Sequence, residues 1–198
     1  MSVEVLAPGL LTTVQDRGRF GYRHLGVGCA GALDAHSHAL ANLLAGNPVD
    51  APALEITLTG PRLRFDQATC IAVCGAEIDA RVDNHAVPSW RSVWLPAGTT
   101  LTLGACRRGA RAYLAVAGGF LVAPTLASAS TDLRGGFGGI SGRALVAGDV
   151  LGTARFPDAV AGLRQRLHEC SGGRGECADP EQAEIAVTER LDNAGEAH

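Results

Sequence analysis

A mainly β domain, a distorted barrel or β-rich α+β fold with one principal helix, is the architecture this sequence predicts, on three observations. Short runs of Val, Ile, Leu and Thr are broken at close intervals by Gly, Pro and Asp through the first 154 residues. One segment, near residues 33–45, instead repeats leucine at helical spacing. The regular strand and helix alternation of a doubly wound α/β fold does not occur.

Taken in order, strands are expected at residues 3–6, 53–58, 71–74, 80–83, 92–95, 100–103 and 111–116, each an apolar or β-branched run bounded by turn residues. The helix rests on Leu33, Leu40, Leu43 and Leu44, with Asp34 in its first turn and Gly46 placed to stop it. Residues 1–154 carry 12 Arg and 11 acids, while 155–198 carry 5 and 9. That shift predicts a domain over 1–154 and a polar tail over 155–198, partly helical or disordered. The tail offers helices at 158–169 and 180–191, the second capped by Asp179 with Pro180 at its first position, joined by a linker at 171–176.

Composition excludes several functions. All 17 cationic side chains are arginine, so Schiff-base chemistry, a lysine base and a P-loop lysine are ruled out. A net charge of −3 and 5% aromatic residues give neither the basic field nor the stacking platforms of nucleic-acid binding. The sequence opens MSVEVLAPG, without a basic stretch leading into an apolar one, and has no apolar run of about 18 residues. A cytoplasmic protein with no membrane partner is expected. Six cysteines sit at spacings unlike a zinc ribbon or a CxxC redox pair, and Cys70 and Cys74 in ATCIAVCGA read as small buried hydrophobes.

Two stretches carry the chemistry. Residues 10–34 set Gln15, Asp16, Arg17, Arg19, Tyr22 and His24 among five glycines, and such backbone lets polar side chains converge on a small planar ligand. Asp16 and Arg19 are placed on an open loop, where substitution should weaken binding more than folding. His36 and His38 do not share a helix face, so no metal site is expected. Asn42 among leucines, and Glu55 inside ALEITL, are polar groups that need a partner or a ligand. Residues 128–151 place Ser128, Ser130 and Thr131 before a glycine run. There Arg134, Gly135, Gly136 and Arg143 could form an anion-binding nest, or the segment could be a flexible hairpin loop. The serines have no histidine and acid in triad-like context.

VLAPGLLTTVQDRGRFGYRHLGV, GALDAHSHALANLLAGNP, ALEITLTGPRLRF, ARAYLAVAGGF and STDLRGGFGGISGRALVAGDVL together resemble, in order and spacing over residues 3–152, the biotin-dependent carboxyltransferase family. That family is also called allophanate hydrolase subunit 2, KipA, or the C subunit of 5-oxoprolinase. The resemblance implies a cyclophilin-like β-barrel. It also implies work beside a KipI-type partner, the B subunit of 5-oxoprolinase, on a small cyclic amide or urea: ATP-dependent opening of 5-oxoproline, or carboxylation of urea through carboxybiotin. A non-catalytic KipA-like regulator, or an inactive shortened member, is the remaining alternative. Gly28 stands where the family usually has Pro, and Ala127 where Gly is usual; the family's second barrel-like half has no counterpart after residue 152. For an amide substrate, Asp16 and Asp34 are the expected catalytic carboxylates. Gln15, Arg19, Tyr22, Asn42 and Glu55 are the expected binding groups.

Overall fold

The computed structural model describes residues 1–154 apart from Asn84. The chain divides into compact units Met1–Arg155 and Phe156–His198, and the first holds every element described. The helices expected at 158–169 and 180–191, the Asp179 cap and the 171–176 linker lie outside the described residues.

Nine strands form one antiparallel, curled sheet: β1 (Ser2–Ala7), β2 (Leu11–Gln15), β3 (Ala53–Thr57), β4 (Arg62–Phe65), β5 (Thr69–Val82), β6 (His85–Ala86), β7 (Ser92–Leu95), β8 (Thr100–Val116) and β9 (Val150–Gly152). The mainly β, barrel-like expectation therefore holds, with α1 (Ala35–Leu44) as the α-helix of the described residues. β8 organises the sheet. Its start pairs with β4 through Thr102 opposite Arg62, its end pairs with β3 through Tyr113 opposite Glu55, and β5 runs along its length from Val116 to Leu101. β1 is sandwiched between β4 and β9.

Period-two alternation sorts the side chains. Leu54, Ile56, Ile71, Val73, Leu114 and Val116 enter the main core with Val3, Val5, Leu63 and Phe65. A Leu or Ile buried in this way contributes about 1.5–3 kcal/mol. The alternate residues Ala53, Ala72, Cys74, Tyr113 and Ala115 face α1, which meets them with Ala41 and Ala45. Small side chains on both surfaces let helix and sheet approach closely. The fully buried face of α1 is therefore Ser37, His38, Ala41 and Asn42, flanked by the partly buried Leu40 and Leu44 of the leucine stripe, while Leu33 and Leu43 are exposed. Asp34 is the N-cap, one position before the first turn, and Gly46 in the left-handed region follows the helix end.

Two strands that the sequence reading divides are continuous: 71–74 and 80–83 belong to β5, and 100–103 and 111–116 to β8. The cause is a bulge. Gly75 adopts φ +96°, and the β5 to β8 register shifts between Gly75 and Ala80, so the chain kinks without turning back. A Cβ on Gly75 would come within 2.5 Å of the Arg111 carbonyl oxygen. Cys70 and Cys74 are buried as expected, and burial pushes the Cys74 thiol up to about 12.

Candidate functional site

The first part of the stretch read as a ligand loop, up to Arg19, is built into the fold, while most of residues 20–34 stays exposed. Residues 11–15 are a strand paired to β3, and Gln15 and Arg19 are buried. Gln15 Nε2 donates to Thr13 Oγ1 (3.0 Å) and the Thr131 carbonyl (3.2 Å), while its Oε1 accepts from Gly31 N–H (3.1 Å). The Asp16 carboxylate accepts from the Ser128 hydroxyl (2.7 Å), the Ser130 hydroxyl, Gly18 N–H (2.7 Å) and Ala129 N–H (2.6 Å). Burial raises its pKa, but these four donors outweigh burial and hold it below the ordinary value. Arg19, 1% exposed, donates to the Ser130 carbonyl and lies 4.7 Å above the Phe137 ring, with Asp132 3.9 Å from its Nη1. Residues 15–19 and 128–132 are thereby stapled together. Their placement on an exposed loop is corrected.

A second polar chain surrounds the start of α1. The Tyr113 hydroxyl donates to Glu55 Oε2 (2.7 Å) and accepts from Asp34 N–H (2.7 Å), and Leu33 N–H also donates to Glu55 Oε2 (2.7 Å). Glu55 thus has the partner its apolar strand demands. Burial raises the Tyr113 phenol well above its usual range, which keeps it a hydrogen-bond donor. The Asp34 carboxylate is held low chiefly by the Ser37 hydroxyl (2.5 Å). His38 donates from Nε2 to the Gln15 carbonyl (3.1 Å) and meets Tyr113 edge to face at 5.9 Å, so it connects the two polar groups. Burial depresses its pKa and leaves the ring neutral. Asn42 donates to the Ala51 carbonyl (2.8 Å) and accepts from Asn47 (3.1 Å).

Beside Asp34 the β5 bulge opens a groove of about 670 Å³, lined by Gly75, Glu77, Trp90, Arg108 and Arg111 among others. Arg111 Nε is buried without a hydrogen-bond acceptor, with Glu55 Oε1 3.6 Å away. Trp90 adopts φ +63°, a costly conformation for a bulky residue, held by its N–H on the Val73 carbonyl (2.7 Å).

The other predicted residues lie apart from this groove. Tyr22 is half-buried before a 3₁₀ turn, Arg23–Leu25. In the glycine run, Arg134 and Gly135 N–H groups donate to Asp132 Oδ1 (3.1 and 2.9 Å), and Gly136 N–H donates to the Asp132 carbonyl (2.8 Å). Arg143 is bidentate to Asp149 at 2.8 Å on both oxygens, which raises Arg143 and lowers Asp149. The donors foreseen for an external anion already serve the chain's own carboxylates. Among the described residues no group of three His, Cys, Asp or Glu converges as metal ligands, and no helix is long and apolar enough to cross a membrane. Sequence reasoning does not single out Arg111, Tyr113, His38 or Trp90 as site residues. A tyrosine inside ARAYLAV, paired across the sheet from Glu55, is the readable signal for two of them, because alternation places Arg111 and Tyr113 on one face.

The family model described as carboxyltransferase domain, subdomain A and B, matches residues 25–189. The 5-oxoprolinase C subunit of Escherichia coli (strain K12) is 47% identical over 151 residues, covering 75% of this chain and 48% of that protein. Urea amidolyase of Saccharomyces cerevisiae is 42% identical over 151 residues, covering 76% of this chain and 8% of that protein. The crystal structure of Kluyveromyces lactis urea carboxylase superposes with a TM-score of 0.76 at 42% identity, covering 78% of this chain and 14% of that one. This chain spans about half the length of the Escherichia coli protein.

Proposed function

Because the chain belongs to the carboxyltransferase domain family of subdomains A and B, we propose that it acts as the C subunit of an ATP-dependent 5-oxoprolinase, in the cytoplasm and together with a KipI-type partner, the B subunit of that enzyme. The observation that carries this reading is the 47% identity to a 5-oxoprolinase C subunit over three quarters of the chain. The groove supports it, since Asp34 and Glu77 lie there beside Arg108 and Arg111, acceptors and donors for an amide and its carboxylate.

In this reading Asp34, at the groove wall, orients the substrate N–H, and Glu55 with Tyr113 fixes the backbone that presents it. Asp16, Gln15 and Arg19 are positioning residues that hold the Gln15 carbonyl under His38; Asn42 anchors the opposite side of the helix. Tyr22 flanks the loop. ATP fits the partner better than this chain, since the glycine-turn donors and Arg143 are occupied by Asp132 and Asp149 and no lysine is available. Bound to the partner, ATP would supply an activating phosphoryl group.

A second reading draws on the 42% identity to urea amidolyase: a carboxyltransferase component that takes carboxybiotin and urea. One experiment separates the two. The purified chain is combined with a KipI-type protein, and glutamate release from 5-oxoproline with ATP is followed beside urea-dependent decarboxylation of carboxybiotin. Ring opening that requires both proteins is the expected result. Turnover by the chain alone, or a urea reaction without ring opening, would end the 5-oxoprolinase reading. Partner binding without either reaction would instead point to a regulator.

A further inference from the structure

Three independent features meet in the groove beside α1. The β5 bulge at Gly75 spreads the sheet opposite Arg108–Arg111, and such bulges commonly re-aim side chains at functional sites. Trp90 is held in a strained backbone conformation and the residue is 43% exposed at the groove. Arg111 keeps a buried Nε–H without an acceptor, and Arg108 makes no ion pair among the described residues. Arg111 Nε faces only Glu55 Oε1, at an ion-pair distance of 3.6 Å, so the guanidinium is incompletely satisfied and its exposed part favours an arriving acceptor.

The charged groups facing this space are Arg108, Arg111, Asp34 and Glu77, with Glu55 behind Arg111. Guanidinium donors recognise a carboxylate, and carboxylate acceptors recognise an N–H. The indole supplies a flat apolar face. A volume of about 670 Å³ is ample for a small ring. We propose that the groove binds a lactam carboxylate, its carboxylate on Arg111 and Arg108, its ring against Trp90 and its N–H toward Asp34. This deepens the 5-oxoprolinase reading and rests on it for the choice of 5-oxoproline as the probe. Urea, which has no carboxylate, would offer the two arginines only a neutral carbonyl acceptor and lose the charge-assisted pairing.

The test uses the full chain with Trp94→Phe, so that Trp90 is the remaining indole and reports by fluorescence. 5-Oxoproline should give a saturable change, and 2-pyrrolidinone, the same ring without its carboxylate, should bind at least about tenfold more weakly. Arg111→Gln should weaken 5-oxoproline by at least about tenfold and Arg108→Gln by a few-fold, whereas Arg134→Gln, outside the groove, should leave it unchanged. Arg108 is exposed, so its variant tests the site even if loss of the Arg111 to Glu55 contact unfolds the other. No saturable change, equal binding of the two lactams, or wild-type binding by Arg108→Gln would overturn the proposal. In the partnered assay, ring opening with KM unmoved by Arg108→Gln would reject the groove while sparing the enzymatic reading. Groove binding without any ring opening would reject the enzymatic reading alone.

Discussion

Asp16 is a single carboxylate on which four donors from two distant segments converge, and its charge is what makes them converge. Its folded pKa lies below the ordinary value of 3.8. The unfolded chain therefore takes up a proton first as pH falls, and the stability Asp16 contributes is present above about pH 4 and lost below it. Asp16→Asn is expected to cost about 2–3 kcal/mol at pH 7 and to flatten the acid side of a denaturation profile measured against pH. A second residue-scale prediction concerns the turn that delivers Ser128 to Asp16. Thr125 and Ser128 exchange backbone hydrogen bonds across Leu126 and Ala127, both at positive φ (53° and 61°). Two-residue turns of this kind favour Asn-Gly, because glycine adopts the left-handed conformation without the Cβ clash that Ala127 carries. Ala127→Gly should thus stabilise the chain by up to about 1 kcal/mol, visible as a raised Tm.

At the scale of elements, the groove depends on a bulge that glycine alone accommodates. Gly75→Val would meet the Arg111 carbonyl at a backbone angle closed to valine, and should lower stability by about 2–4 kcal/mol while abolishing the Trp90 response to 5-oxoproline. The same glycine explains what can be read in advance. Strands such as Ser92–Leu95 and Ala53–Thr57 are legible because turn residues bound them. β5 and β8 are divided in the sequence reading because glycine at a bulge and glycine at a turn look alike without a partner strand. β2, β4 and β9 are short, and their identity comes from pairing with distant segments; β6 is two residues paired back on the end of β5. In the helix, length and stop are legible, but leucine spacing locates the buried face only in part: Leu40 and Leu44 pack at its edge, while its centre is Ala41 against the alanines of the sheet. Asp34, Glu55 and Asn42 stand out as polar groups in apolar surroundings. His38 and Arg111 do not, since their roles exist only where helix and sheet meet.

For the whole molecule, exposed apolar side chains matter beside the half-length match. Phe20, Leu25 and Leu33 are 70%, 65% and 72% exposed within one loop and helix entry. Isolated exposed leucines are ordinary, but several in one segment favour association. Sedimentation velocity on the unpartnered chain should show concentration-dependent self-association, reduced by Phe20→Ser with Leu33→Ser; a monomer at all concentrations would mean that these side chains are not an interface.

The position of β1 between β4 and β9 has a further consequence, for the order in which the molecule can be made. β1 is synthesised well before Val150–Gly152, which it needs for one of its edges, and Asp16 likewise waits for Ser128 and Ser130. At about 5–20 residues per second, the interval between those segments is on the order of ten seconds. Throughout it, Val3 and Val5 belong to a nascent strand with an unclosed edge, open to pairing with the wrong chain. The earliest-made of the strands described is thus among the last to be secured, and crowding on a polysome is a hazard that the stability of the finished fold does not remove.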